Sequence, residues 1–152
     1  MINLLLKLLK NVKIGKNVKI SAFTNIYGCT LKDNVFVGPF VEIQKNVIIG
    51  ENTRVQSHSF ICEGVTIGKN VFIGHNVNTI NDNFPKVNNT DWRPETINIK
   101  DGASIGTGST IMGNITIGEN SLIGAHSLVN CDIPDGEIWV GVPAKFLRKI
   151  WC

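Results

Sequence analysis

The chain has 152 residues, 43% of them hydrophobic, and a formal net charge of +3. That length supports one domain, 1–152, and so mild a charge points away from nucleic acid. No apolar run reaches the ~18 residues of a membrane-spanning helix, so membrane insertion is not expected. Leu4-Leu5-Leu6-Lys7-Leu8-Leu9 is too short for a span and lacks a small-residue cleavage site, so it reads as a cap over an open first coil. Cys29, Cys62, Cys131 and Cys152 have neither metal-ligand spacing nor a disulfide framework. They are expected to be free thiols in a reducing cytoplasm.

From residue 11 onward a six-residue beat takes over. Aliphatic residues stand at Ile14, Ile20 and Ile26, then at Val37, Ile43, Ile49, Val55, Ile61, Ile67 and Ile73. The beat resumes at Ile99, Ile105, Ile111, Ile117, Ile123 and Val129. A period of six is neither the 3.6 of a helix nor the simple alternation of one strand. It is the mark of a parallel β-helix, whose short strands are joined by tight corners. The third residue after a beat is usually Asn or Gly (Asn34, Asn46, Asn52, Gly64, Asn70, Asn76, Gly102, Asn120), the residues that take positive φ at least cost. Three six-residue edges close one triangular coil. The fold expected is all-β, a left-handed parallel β-helix.

Two features interrupt the beat. Ile26 and Val37 are eleven residues apart instead of twelve, a deletion expected to be absorbed by a tightened corner at Gly28. Residues 80–97 lose the repeat altogether, and they carry Phe84, Trp92, Pro85 and Pro94. A loop this apolar reads as an arm packing on a neighbouring subunit. Past Pro134 the repeat ends. Residues 143–152, with Pro143 suited to a first turn, predict a short C-terminal helix capping the last coil.

The corner column itself has exceptions. Phe23, Phe40, His58 and Asn76 are spaced by 17, 18 and 18 residues, which puts bulky groups on one edge of successive coils. His126 occupies a similar corner later in the chain and reads as structural. Phe40, His58, His75 and the base of the loop are therefore expected on one face, where an active site belongs.

The repeat as a whole resembles the left-handed β-helix acyltransferases, which work as trimers with acyl-CoA in the cleft between subunits. Three segments carry a narrower resemblance: Val37-Gly38-Pro39-Phe40-Val41-Glu42-Ile43-Gln44, Gln56 to Gly64, and the run from Phe72-Ile73-Gly74-His75 through Asn81-Asp82 to Pro85. They are similar to the N-acetyltransferases of nucleotide-linked 3-amino-3-deoxy sugars in surface-glycan synthesis. The exit Trp139-Val140-Gly141-Val142-Pro143-Ala144-Lys145 matches the usual ending of such chains.

The resemblance implies acetyl-CoA as co-substrate, no metal, and a dTDP- or UDP-linked amino sugar as acceptor, handled by a cytoplasmic homotrimer. Asn81 is implied as the residue meeting the amine, with Asp82 adding a hydrogen bond or taking the proton. His58 is a candidate general base with Glu63 near it, or a substrate contact. Phe40, Gln56, Glu63 and His75 complete the expected substrate site. Gly106, Gly124 and Ala125 offer an exposed backbone edge for pantetheine. Lys145 and Arg148, with Lys149, form a basic cluster able to meet phosphate. Glycine N–H groups at the corners are expected to serve the oxyanion.

Three alternatives remain open on the residues alone. A UDP-linked 3-amino-glucuronate acceptor would want a cation near the sugar, for which Lys86 is the candidate. An O-acetyltransferase would need a histidine at the reacting atom. A scaffold would keep the ladder without the loop and the His58-to-Asn81 group. The β-helical carbonic anhydrases need a close histidine pair, whereas the gaps here are 17 and 51 residues.

Overall fold

The computed structural model describes residues 7–151. These wind a parallel β-solenoid of about seven turns, the architecture of a left-handed hexapeptide β-helix, and the described residues contain no helix. Each turn contributes a short strand to each of three sheets. The first sheet stacks Lys7–Lys10, Thr24–Tyr27, Glu42–Ile43, Phe60–Ile61, Asn78–Thr79, Thr110–Ile111 and Leu128–Val129. The second runs from Lys13–Ile14 to Ile115–Ile117. The third runs from Lys19–Ile20 to Leu122–Ile123 and continues through Glu137–Val140 to Lys145–Lys149.

The beat residues are the core. Ile43 stacks on Ile61, Ile49 on Ile67 and Ile73 on Ile105, each in register one coil apart and each essentially inaccessible. Strands ~4.8 Å apart bring equivalent β-branched side chains into contact, so one column of repeats makes one continuous apolar ladder. The small residues near the corners also point inward, and their hydroxyls are spent. Thr53 donates to the Gly68 carbonyl at 2.8 Å and accepts the Val71 N–H at 3.0 Å. Ser59 does the same for Gly74 and Val77. Each buried hydroxyl thus carries backbone groups of the next coil that a turn leaves unpaired.

The bends fall where the sequence places them. Asn34, Asn46, Asn52, Asn70, Asn76 and Asn120 all have φ between 52° and 62°. Between the second and third sheets the asparagines also form a side-chain ladder: Asn17 donates to Asn34, Asn34 to Asn52 and Asn52 to Asn70, at 3.1–3.2 Å. Gly28 takes φ 60° at the shortened corner, and a Cβ there would press on Lys45. The deletion is therefore absorbed at Gly28, where a side chain would be strained and crowded.

One expectation about the ends needs correction. The C-terminal helix is absent: Lys145–Lys149 is a strand, antiparallel to Glu137–Val140. The last coil ends in an unpaired sheet edge. A returning strand satisfies those N–H and C=O groups, which a helix laid across it would leave open. Phe146 meets Trp139 edge-on at 6.3 Å, fixing the return. Of the expected N-terminal cap, Leu4, Leu5 and Leu6 lie outside the described residues. Leu8 and Leu9 belong to the first strand, where Leu9 stacks on the buried Ile26, and they are 71% and 44% exposed.

Burial pushes the Cys29 thiol from its ordinary value near 9 up to about 11, and raises Cys62 likewise. A raised thiol favours the folded state fully below its unfolded value, and that contribution is lost as pH rises from about 9 to about 11. Cys131 is exposed. A disulfide-exchange reagent at pH 8 is expected to label Cys131 rapidly, and Cys29 and Cys62 only upon unfolding. In denaturant titrations, Asn52→Val should cost roughly 1–2 kcal/mol through its left-handed backbone, and Asn52→Gly clearly less.

Candidate active site

The candidate residues of the first sheet lie along its two edges. At the edge shared with the third sheet, a column of positive-φ residues carries Phe23, Phe40, His58, Asn76, Gly108 and His126. The rings of Phe23 and Phe40 stack at 5.1 Å, 8° from parallel, and Phe40 stacks on His58 at 4.8 Å. Both phenylalanines are about half exposed. Beside this column the Ser57 hydroxyl and His75 Nδ1 are 2.8 Å apart. His58 and His75 are exposed on adjacent coils. His126 lies farther along, its ring filling the space a side chain at Gly108 would take.

The loop sits at the other edge, shared with the second sheet. Its ends are tied together, with the Glu95 N–H donating to the Asn81 carbonyl at 3.0 Å, which makes it an Ω-loop. The Asn81 side chain donates through Nδ2 to the Glu63 carbonyl at 3.0 Å, and Oδ1 has no donor among the described residues. Asp82 Oδ1 accepts the Phe84 N–H at 3.1 Å, so that carboxylate holds the first bend of the loop. Asn83 and Gly113 form a reciprocal pair, Nδ2 to carbonyl at 3.2 Å and Gly113 N–H to Oδ1 at 2.9 Å. Glu95 Oε2 accepts the Asn83 N–H, and its carboxylate occupies the place a Gly113 side chain would need. Beyond this knot the loop is bare: Phe84 and Val87 are 81% and 91% exposed. Trp92 Nε1 is buried with no acceptor.

Phe40, His58 and His75 therefore share a sheet with the loop base but occupy its opposite edge. His58 and Glu63 are five extended residues apart, roughly 16 Å, so the expected histidine–glutamate couple does not form within one chain. Glu63 is committed locally instead, accepting from Asn46 at 2.9 Å and pairing with Lys45 at 3.4 Å. Asn83 and Glu95 were not singled out from the sequence. Their importance rests on contacts with Gly113, thirty residues from Asn83 and eighteen from Glu95, that no local pattern announces.

The third sheet carries a shallow apolar groove lined by Phe72, Ser104, Gly106, Leu122, Gly124 and Ala125. The expected backbone edge is present there, but its N–H groups are taken. Gly74, Gly106 and Gly124 donate to the carbonyls of Ile105, Ile123 and Trp139 at 2.8–2.9 Å. A Cβ on Gly106 would collide with Ala125 and Gly124, so glycine here serves coil stacking. These three N–H groups are not free for an oxyanion. Gln56 lies in this same row, its N–H bound to Ile73. Lys145 and Arg148 are exposed on the returning strand at the sheet's last edge, Arg148 donating to the Lys149 carbonyl at 3.0 Å. Among the described residues no three His, Cys, Asp or Glu side chains converge as a metal site.

The family described as bacterial transferase hexapeptide (six repeats) matches residues 28–63 and 96–131, the two runs of coils on either side of the loop. This is a hexapeptide-repeat protein. The bifunctional protein GlmU of Thermosipho africanus is 34% identical over 91% of this hexapeptide chain and 29% of its own length. The chain spans roughly a third or less of the curated relatives of that kind. A hexapeptide-repeat acetyltransferase of Vibrio cholerae, solved with acetyl coenzyme A, superposes with a TM-score of 0.72. It is 27% identical, over 82% of this chain and 72% of that one. A variant of AntD, an N-acyltransferase of Bacillus cereus solved with dTDP and coenzyme A, has a TM-score of 0.81. At 23% identity, over 90% of this chain and 83% of that one, it shares the fold.

Asn83 is the pin of the loop in this hexapeptide chain. Asn83→Ala leaves the Gly113 N–H and carbonyl without partners, at a cost of about 1–3 kcal/mol. Amide exchange in 82–95 should accelerate several-fold, while exchange in the coils of residues 35–73 stays unchanged.

Proposed function

We propose that this chain transfers the acetyl group of acetyl-CoA to the 3-amino group of a nucleotide-linked deoxyamino sugar, dTDP-3-amino-3,6-dideoxyhexose, in lipopolysaccharide or related surface-glycan synthesis. The observation that carries this reading is the state of Asn81. Its Nδ2 is fixed on the Glu63 carbonyl, so Oδ1 is the atom presented to a ligand at the loop base. An amide oxygen held this way accepts an N–H from a neutral amine and turns the nitrogen lone pair toward a thioester carbonyl. The amine nitrogen bonds to the carbonyl carbon, the C–S bond breaks, and the thiolate leaves with coenzyme A. The amine's proton passes to solvent or to Asp82. Holding both reactants in attack geometry can supply about 7–11 kcal/mol, so no strong base is demanded.

The acetyl-CoA-bound relative from Vibrio cholerae supports the donor, and the dTDP-bound N-acyltransferase fold supports a nucleotide-linked acceptor. The third-sheet groove at Gly106, Gly124 and Ala125 is the place for pantetheine, with Lys145 and Arg148 at its end for phosphate. The two edges of the first sheet support a homotrimer. One protomer's loop edge, set against its neighbour's Phe40–His58–His75 edge, joins halves that a single chain holds apart. The bare Phe84 and Val87 would then be covered.

The test is an assay following thiol release from acetyl-CoA with dTDP- and UDP-linked 3-amino and 4-amino sugars, alongside molar mass by light scattering. Turnover is expected with the dTDP-linked 3-amino-6-deoxy sugar, in a trimer. Asn81→Ala should lower kcat/KM roughly a hundredfold, with His58→Ala and His75→Ala milder. The opposite order would favour transfer to a hydroxyl, because a hydroxyl must be deprotonated by a placed base. No release with any amino sugar would overturn the proposal.

A further inference from the structure

The first coil differs in charge from the rest of the prism. Lys7, Lys10, Lys13, Lys16, Lys19 and Lys32 precede the first acidic residue, Asp33. Lys10, Lys13, Lys16 and Lys19 are exposed, and none of the five lysines from 7 to 19 has a carboxylate partner among the described residues. Asp33, the nearest acid, spends one oxygen on the Lys16 backbone N–H at 2.8 Å. The strands Lys7–Lys10, Lys13–Ile14 and Lys19–Ile20 are the terminal strands of the three sheets, so these lysines surround one end of the prism.

That end is also apolar at its centre. Leu9 pairs with Ile26 and Ile14 with Leu31, which makes them the outermost layer of the inward ladder among the described residues. They remain 44% and 49% exposed, and Leu8 beside them is 71% exposed. Lysines on edge strands discourage strand-to-strand aggregation, which accounts for some of them. It does not account for an apolar centre half exposed among the described residues, nor for the absence of acids through residue 32.

We propose that this end of the prism docks on an anionic lipid surface, the lysine rim meeting headgroups and Leu8, Leu9 and Ile14 entering the interface. Clusters of four to eight cations beside apolar side chains bind acidic lipids in this way, and a phosphate polyanion lacking an apolar phase has no use for the leucines. The end lies four strand spacings, roughly 19 Å, from Asn78–Thr79 at the loop base, so docking leaves the candidate active site open. The inference does not depend on the chain being an acetyltransferase.

The experiment is co-sedimentation of the full chain with vesicles of phosphatidylglycerol and phosphatidylcholine in equal parts, against phosphatidylcholine alone. Binding is expected to the anionic vesicles only, and to fade at about 1 M salt, where the screening length falls to ~3 Å. Lys10→Glu/Lys13→Glu/Lys16→Glu should weaken partitioning at least about tenfold, since each cation contributes a factor of roughly five. Leu8→Ser/Leu9→Ser should weaken it without changing the salt dependence. Circular dichroism checks that each variant is folded, and Lys13→Gln/Lys16→Gln replaces the reversal variant should that one fail. Equal binding to neutral vesicles, binding that survives charge removal, or no binding to anionic vesicles would overturn the proposal. Retention on duplex DNA that Leu8→Ser/Leu9→Ser leaves untouched, without vesicle binding, would overturn it in favour of a nucleic-acid contact.

Discussion

The spacing between coils governs this molecule. Neighbouring strands are held ~4.8 Å apart by their backbone hydrogen bonds, and whatever occupies a position in one coil must tolerate its counterpart in the next. Isoleucine on isoleucine satisfies that demand inside. At the bends, asparagine satisfies it twice, by accepting positive φ and by bonding side chain to side chain from Asn17 to Asn70. Inward serine and threonine hydroxyls close the remaining accounts. Because these solutions repeat, the scaffold is stiff, and departures from them are visible as departures.

The departures are where the candidate site residues gather. Phe23, Phe40 and His58 hold left-handed backbone that asparagine would hold at lower cost, and they stack into an exposed aromatic column. Thr79 replaces an aliphatic in the inward ladder, and its hydroxyl bonds to the Phe60 carbonyl and to the N–H and Sγ of Cys62 in the preceding coil. The loop itself is anchored by three polar side chains, Asn81, Asn83 and Glu95, while its apolar tip has no cover in one chain. A rigid prism thus carries one well-anchored arm whose tip, at Phe84 and Val87, is exposed.

Glycine had two readings in this sequence, and the difference matters for mechanism. Gly106 and Gly124 follow their beats as a pantetheine-binding edge would, yet their N–H groups bind the next coil and their missing side chains make room for it. What they leave exposed is a flat apolar floor between Phe72 and Leu122, with no free backbone donor at Gly106 or Gly124. The returning strand at the C-terminus obeys the same pairing rule. Five residues, Lys145 to Lys149, are too few for periodicity to separate strand from helix, and an open sheet edge decided the matter.

The sequence by itself determined the repeat, the triangular coil, the inward ladder and the left-handed bends, because each of these is local and recurs, and it marked the shortened corner at Gly28 as a local break in that recurrence. It also marked Asn81 and Asp82 through resemblance, and the loop through loss of the beat. Only the tertiary structure placed the loop and the Phe40–His58 column on opposite edges of one sheet, since a spacing of 18 residues fixes the coil but does not say which corner an insertion leaves from. Only the structure joined Asn83 to Gly113 and turned the C-terminus into a strand. Those contacts bring together residues that are distant in the chain, and their energy comes from unpaired backbone groups that exist only once the coils have stacked.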